Sequence, residues 1–229
     1  MEMLITPPNI VSPKVRAFFT TRTFVNNHDH VSEAVAQELH ISRDKIYLPV
    51  QKHTNRIQVL KADTVHEIAD AVVTGRREIF IGILVADCVP ILLFDERGVI
   101  GAVHAGWRGT AKRILKKTIL VMQKEFNCVP EDIRMAIGPS IRPCCYEVDE
   151  DVKESVQRAA GEGVCCRQEG NKYRVDLSSA NRVQALSMRI SPENIWQSEE
   201  CTFCSPERFY SYRYSKGSNG RQGGFIGMW

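Results

Sequence analysis

Between Ile79 and Ala105 the chain reads IFIGILVADCVPILLFDERGVIGAVHA, three apolar runs of strand length with only a few polar residues between them. Runs this rich in Ile, Val and Leu, without regular polar alternation, read as strands buried on both faces. Asp95–Gly98 (DERG) reads as a turn joining the last two into a hairpin. Asp87 and Pro90 interrupt the apolar character, so no stretch reaches the roughly 18 uninterrupted apolar residues of a membrane helix.

Around this centre, strand-like segments (VRAFFTT, IYLPV, RIQVL, Arg134–Gly138, IWQSEE, YSYRY, FIGMW) mix with helical ones. Helices are expected from about Ser32 to Leu39 with Ser32 as cap, through AKRILKKTILVMQKEF, and near Glu150–Ala160 and Leu177–Met188, where Asp176 or Ser178 caps. In the second of these, Ile114, Leu115, Thr118, Leu120, Val121 and Met122 are the expected buried face, and the lysines are solvated. Mixed helices and strands point to an α/β or α+β domain around a large sheet. No repeat, low-complexity tract or linker divides the 229 residues, so one domain spanning 1–229 is expected.

A hydrophobic fraction of 43% and a net charge of +3 fit an ordinary globular protein and give no electrostatic case for nucleic acid or an anionic membrane. The opening MEMLITPPNIVSPK has neither the basic region nor the apolar segment of a secretory signal, so a cytoplasmic location is expected. In reducing cytosol most of the eight cysteines stay free, which leaves them for metal binding or nucleophilic chemistry.

Of six histidines, two stand where a strand meets a loop: His53 in QKHTNR and His104 at the end of VIGAVHA, just before GWRGT. Cys88, in VADCVP, lies between them. A scaffold fixes side-chain direction at such positions while the loop leaves room for a ligand. The separations of 35 and 16 residues exclude a single-helix motif, so a shared site requires three segments to converge. Two imidazoles and a thiolate would bind Zn²⁺ with a fourth position open, and the same set suits Cu²⁺. A lone buried Cys is otherwise an inert small hydrophobe. Asp87 beside it is a charge in a buried-looking strand and needs a partner.

Cys201 and Cys204 make a CxxC with no second such pair or suitable His pair after it, which favours an ordinary loop over a metal knuckle. Adjacent Cys144 and Cys145 are also unexpected as joint ligands. Arg22, Arg108 and Arg221 sit at strand ends or Gly-rich turns, where a guanidinium can hold phosphate or carboxylate. A helix starting near Thr110 would add free backbone N–H groups.

The segments QKHTNRI, ADCVPILLFD, GAVHAGWRGT, AIGPSIRPCCYEV and CTFCSPERFYSYR, in that order, resemble the YfiH-like, laccase-domain family, also described as purine nucleoside phosphorylases and as peptidoglycan editing factors. The similarity runs from about Phe18 to the final residue. It implies a single four-layer α/β/β/α domain, related to a deamidating toxin domain, with zinc on His53, Cys88 and His104. It further implies phosphorolysis of adenosine, inosine, guanosine or methylthioadenosine to the base and the sugar 1-phosphate, with deamination of adenosine alongside. Arg22 first, and Arg108 second, are the expected substrate-binding cations for phosphate. The expected partners are small purine nucleosides and phosphate, and the expected assembly a monomer or weak homodimer. TTRTFVNNHDHVSEAVAQEL departs from relatives that carry Gly-Gly-Val-Ser and Asn-Leu-Asn there, so base preference is not carried over.

Three rivals stand beside this reading. A multicopper oxidase centre needs about ten histidines, and six are present. A cysteine hydrolase acting on peptidoglycan precursors would use Cys88 as nucleophile and His104 as base. A binding or regulatory module would use the WRG and SNGRQGG loops without turnover.

Overall fold

The computed structural model describes residues 3–25, 30–61, 66–161, 166–217 and 220–229. The polar-loop residues Asn26, Asn27 and His28, and Cys165, lie outside them.

The apolar runs form two sheets stacked face to face. One has five strands in the order Leu4–Ile5, Val15–Thr20, Gln222–Met228, Ile79–Val85 and Ile46–Tyr47. The other has six, in the order Ile195–Gln197, Arg134–Ile137, Val89–Asp95, Val99–Ala105, Ala71–Thr74 and Ile57–Val59. A small third sheet pairs Glu147–Val148 with the hairpin Cys166–Glu169 and Lys172–Val175.

The two-residue period of a strand divides each run between two cores. Ile81, Ile83 and Ile226 of the five-stranded sheet meet Val72, Leu92, Phe94, Ile100 and Ala102 of the six-stranded one. The intervening residues Val73, Ile91, Leu93 and Val103 point outward, onto Ile114, Leu115, Ile119 and Met122 of the helix Ile114–Phe126 and onto the helices Glu150–Ala160 and Leu177–Ser187. On the opposite side Phe18, Phe80 and Phe225 pack on the helix Val31–Leu39. The order is therefore helix, sheet, sheet, helix, the expected four layers. Full burial of each such aliphatic side chain contributes about 1.5–3 kcal/mol, which explains why these strands lack a polar face.

The hairpin forms as expected: Gly98 N–H donates to Asp95 O at 2.9 Å, and Gly98 supplies a φ of 84°. Asp176 caps its helix by accepting the Ser179 N–H at 3.0 Å. Several local expectations differ from the structure. His30, not Ser32, occupies the N-cap of Val31–Leu39, and Ser32 is buried inside it. The helix expected from about Thr110 is two helices, Trp107–Ala111 and Ile114–Phe126, broken where Arg113 turns left-handed at φ 58°. Three- and four-residue spacing within Ile114–Phe126 puts Ile114, Leu115, Thr118, Ile119 and Met122 on the buried face, so Ile119 is buried where Leu120 and Val121 were expected to be, and Leu120 is 40% exposed. Because the first helix starts at Trp107, the Thr110 N–H already donates to Gly106 O and is not free for an anion. YSYRY is a series of turns, not a strand. The central strand Ala71–Thr74 and the hairpin after Cys166 were not anticipated.

Candidate functional site

Three chain segments converge at one end of the inter-sheet core. Val89 pairs with Ala105 and Pro90 with His104, while Ala71 pairs with Val103 on the other side of the same strand. Extending both registers by a residue or two puts Asp70 beside His104 and Cys88 across from Gly106. His53 enters from the loop between Ile46–Tyr47 and Ile57–Val59. One ligand atom from each of His53, Cys88 and His104 lies within 4.8 Å of the others. The sulfur of Cys88 is 3.9 Å from His53 Nε2, and the two imidazoles meet edge to face with centroids 4.8 Å apart.

Asp70, fully buried, holds this set together. Its carboxylate accepts the backbone N–H groups of Lys52, His53 and Thr54 at 3.3, 3.0 and 2.5 Å, and the Thr54 hydroxyl at 2.7 Å. Successive N–H groups around an anion form a nest, and this one accounts for His53 standing at a left-handed φ of 56° despite its side chain. The same carboxylate lies 2.8 Å from His104 Nδ1. With the Nδ1 proton directed at Asp70, Nε2 of His104 is left as the lone-pair donor, the arrangement that metal-binding imidazoles use. Hydrogen bonding holds the Asp70 carboxyl far below the usual range even though burial opposes its charge.

Gly106 keeps the site open, since a Cβ there would stand 2.9 Å from the Cys88 sulfur and 3.3 Å from the His53 ring. Burial works against ionising Cys88, but the His104 charge and hydrogen bonds from His104 and His53 outweigh it and bring the thiol down to about 6. Burial likewise disfavours a charged His104, yet the Cys88 thiolate and Asp70 carry it up to about 9. Without metal the two form a thiolate–imidazolium pair. A compact His₂Cys set with one imidazole fixed by a buried carboxylate fits a thiophilic divalent cation with an open position.

Asp87 has the partner that its burial demanded: its carboxylate accepts the Thr202 hydroxyl at 2.6 Å and the Arg213 N–H at 2.7 Å. Tyr146 stays protonated because of burial and the nearby Cys88 thiolate, with Arg213 and Arg108 acting in the opposite sense. The Arg213 guanidinium stacks 5.5 Å over its ring. Arg108 is exposed, lies 4.3 Å over the Trp107 ring, and lines a cleft of about 380 Å³ with Lys112, Arg113 and Arg158. Arg22 instead braces a loop, donating to Pro206 O at 2.9 Å and stacking 5.1 Å over Tyr210. Arg221 lines a separate cleft with His30, Arg43 and Tyr210.

Reasoning from the residues alone missed Asp70, Tyr146 and Arg213. Asp70 had a visible signal, a carboxylate leading directly into the apolar run AVVTG, the same signature that singled out Asp87. It also dismissed the cysteine pairs, yet Cys144, Cys145, Cys201 and Cys204 gather their four sulfurs within 4.8 Å. Among the described residues no helix is long and apolar enough to cross a membrane.

The family described as multi-copper polyphenol oxidoreductase laccase matches residues 24–229. Purine nucleoside phosphorylase YlmD of Geobacillus stearothermophilus is 38% identical over 162 residues, 69% of this chain and 59% of that protein. Its crystal structure superposes with a TM-score of 0.86 at 28% identity, covering 96% of this chain and 93% of that one. Purine nucleoside phosphorylase YlmD of Bacillus subtilis is 33% identical over 208 residues, 88% of this chain and 73% of that protein. Adenosine deaminase RL5, from an unknown prokaryotic organism, is 32% identical over 240 residues, covering 90% and 91%. The crystal structure of Bacillus licheniformis protein YfiH gives a TM-score of 0.86 at 29% identity over 94% of this chain and 93% of that one. The chain belongs to this laccase-named, YfiH-like family of enzymes, whose relatives carry the names purine nucleoside phosphorylase and adenosine deaminase.

Proposed function

We propose that the chain is a zinc-dependent purine nucleoside phosphorylase. Its substrates would be adenosine, inosine, guanosine or methylthioadenosine with phosphate, and it would also deaminate adenosine. The observation that carries this reading is the convergence of His53, Cys88 and His104 around a fixed Asp70 in a chain whose relatives bear those two names.

Zinc held by the two imidazoles and the thiolate would supply Lewis acidity at neutral pH. The protein's own part is to position and to neutralise. Asp70 keeps a proton on His104 Nδ1 and so fixes which nitrogen faces the site. Gly106 leaves the space beside the sulfur for substrate. Orthophosphate and the charge that develops on it need a cation. Arg108 is the freer candidate, since among the described residues no carboxylate pairs with it, whereas Arg22 gives one N–H to Pro206. Protonated Tyr146 is a neutral donor at the same end of the sandwich.

The test is to incubate zinc-loaded protein with adenosine and phosphate and identify the products. Adenine with ribose 1-phosphate, plus inosine, is expected, and His104→Ala should abolish them. No product from wild type, or equal product from His104→Ala, would sink the reading. Arg22→Ala and Arg108→Ala divide the phosphate role: the residue that holds phosphate raises its KM on removal, and an unchanged KM and kcat removes that residue from the role.

A second reading has its own observation, the order Cys88, His104, Asp70 with a depressed thiol, which is also the order of a cysteine hydrolase. Applied to peptidoglycan precursors, it requires activity in metal-free protein that alkylation blocks.

A further inference from the structure

The proposed function leaves the four gathered cysteines unused. Cys204 Sγ lies 3.7 Å from Cys144 Sγ and 3.2 Å from Cys145 Sγ, and all four sulfurs fall within 4.8 Å of one another. Four thiolates at about 2.3 Å from one zinc ion stand about 3.8 Å apart along the edges of the tetrahedron. The sulfurs are thus at ligand spacing around a common centre, and all four cysteines are free thiols.

The backbone supports the same assignment. Cys201 and Ser140 bridge in parallel, and Thr202 N–H donates to Ser140 O at 3.1 Å, which brings the two cysteine segments side by side. The Cys201 sulfur accepts the Arg142 N–H at 3.4 Å, and also the N–H groups of Phe203 and Cys204. Donors from the residues two and three places after a cysteine wrap the chain around its sulfur and return Cys204 to the same centre. An all-sulfur set selects zinc among the common divalent ions, and with four protein ligands it has no open position for substrate.

We propose that Cys144, Cys145, Cys201 and Cys204 bind one zinc ion as a closed structural site, separate from the His53, Cys88 and His104 set. Binding forms four Zn–S bonds and releases the thiol protons to solvent. The site's role follows from its neighbours. Thr202, inside the CTFC turn, donates to the Asp87 carboxylate at 2.6 Å, and Ile141 N–H donates to Asp87 O at 2.9 Å. Both cysteine segments therefore hold the residue next to Cys88, and zinc clamps them together.

Elemental analysis of the full chain, purified from zinc-supplemented culture, tests this without reference to nucleoside turnover, so its failure is separate from failure of the phosphorylase reading. Two zinc ions per wild-type chain are expected, with one left in His53→Ala/His104→Ala and one in Cys201→Ser/Cys204→Ser. Should the cysteine double variant not fold, cobalt loaded into the histidine double variant gives the readout. Intense sulfur-to-cobalt charge-transfer bands of a tetrahedral tetrathiolate support the site, and the exposed Cys144→Ser substitution should weaken them. One zinc in wild type and none in the histidine double variant overturns the proposal. So does iron in place of zinc, or a histidine double variant whose cobalt spectrum lacks tetrathiolate bands.

Discussion

The two sulfur-bearing clusters are built on opposite principles. His104 is held by strand register, Cys88 stands one residue before a strand, and the loop carrying His53 is tied down by a fully buried carboxylate, with Gly106 preserving an opening. Cys144, Cys145, Cys201 and Cys204 stand on loops, and among the described residues their sulfurs are hydrogen-bonded to backbone N–H groups and to each other. This mixed donor set can exist before a metal arrives, because Asp70 neutralises the imidazolium and the imidazolium stabilises the thiolate. Four thiols have no such internal compensation. On the two proposals above, preorganisation by a buried charge, more than the number of ligands, would separate a site for chemistry from a site for structure.

Removing that charge should have the largest effect. Asp70→Asn keeps the shape, but an amide nitrogen donates and cannot accept, so it strands either the His53 N–H and His104 or the Lys52 and Thr54 donors. The metal affinity of the triad should fall roughly 10- to 100-fold, as for other outer-shell partners of a ligating imidazole. Stability should fall too, by about 3–5 kcal/mol if the imidazolium is left unpaired. Competitive chelation and urea unfolding of the same preparation measure both. Because Asp70 has a lowered pKa, its contribution is present above its ordinary value near 4 and is lost as pH falls below that. Equal loss of affinity at the four-thiol cluster would erase the contrast.

The thiols themselves provide the next test. In metal-free protein Cys88 is at about 6, whereas burial and the neighbouring thiols push Cys144 up to about 11. At pH 7 the ionised fractions then differ by about ten thousand, and the lower intrinsic nucleophilicity of a low-pKa thiolate removes about two of those four decades. Cys88 should be alkylated by iodoacetamide about fifty times faster than Cys144, although Cys144 is the more exposed of the two. Its rate should rise with pH through about 6, and His104→Ala should move that midpoint toward 9. Peptide mapping by mass spectrometry reads each cysteine separately. Faster labelling of Cys144 would show that exposure, not electrostatics, governs reactivity.

How far the sequence disclosed these regions follows from how each is made. The central strands were legible because burial on both faces leaves no polar residue to confuse the pattern, and the hairpin because Gly98 marks its turn. His53, Cys88 and His104 were legible as chemical residues at strand ends. Their convergence was legible only through the family resemblance, since from the residues alone it depends on the pairing of Ala71 with Val103, and the strand Ala71–Thr74 is only four residues long. YSYRY alternates like a strand but forms turns, with the Arg213 N–H bound to Asp87 instead of to a ladder. The four cysteines escaped because ligand spacing was sought along the chain, whereas Ser140 and Cys201 meet through a bridge between segments 61 residues apart.

Thr202 connects the two clusters, and it sets the smallest and most discriminating change. Thr202→Val preserves volume and removes the hydroxyl that donates to Asp87, which retains the Arg213 N–H. With one of two bonds lost at a buried carboxylate, about 1 kcal/mol of stability should go, seen as a lower urea midpoint at unchanged slope. Asp87 stands at a left-handed φ of 86°, a backbone state that a non-glycine residue keeps only when its surroundings fix it. Loosening it should therefore shift Cys88, and the triad should bind metal several-fold more weakly although no ligand has changed. An unchanged triad affinity beside a lowered midpoint would mean that the loop supports the fold alone, and that the two clusters share a neighbour without sharing a function.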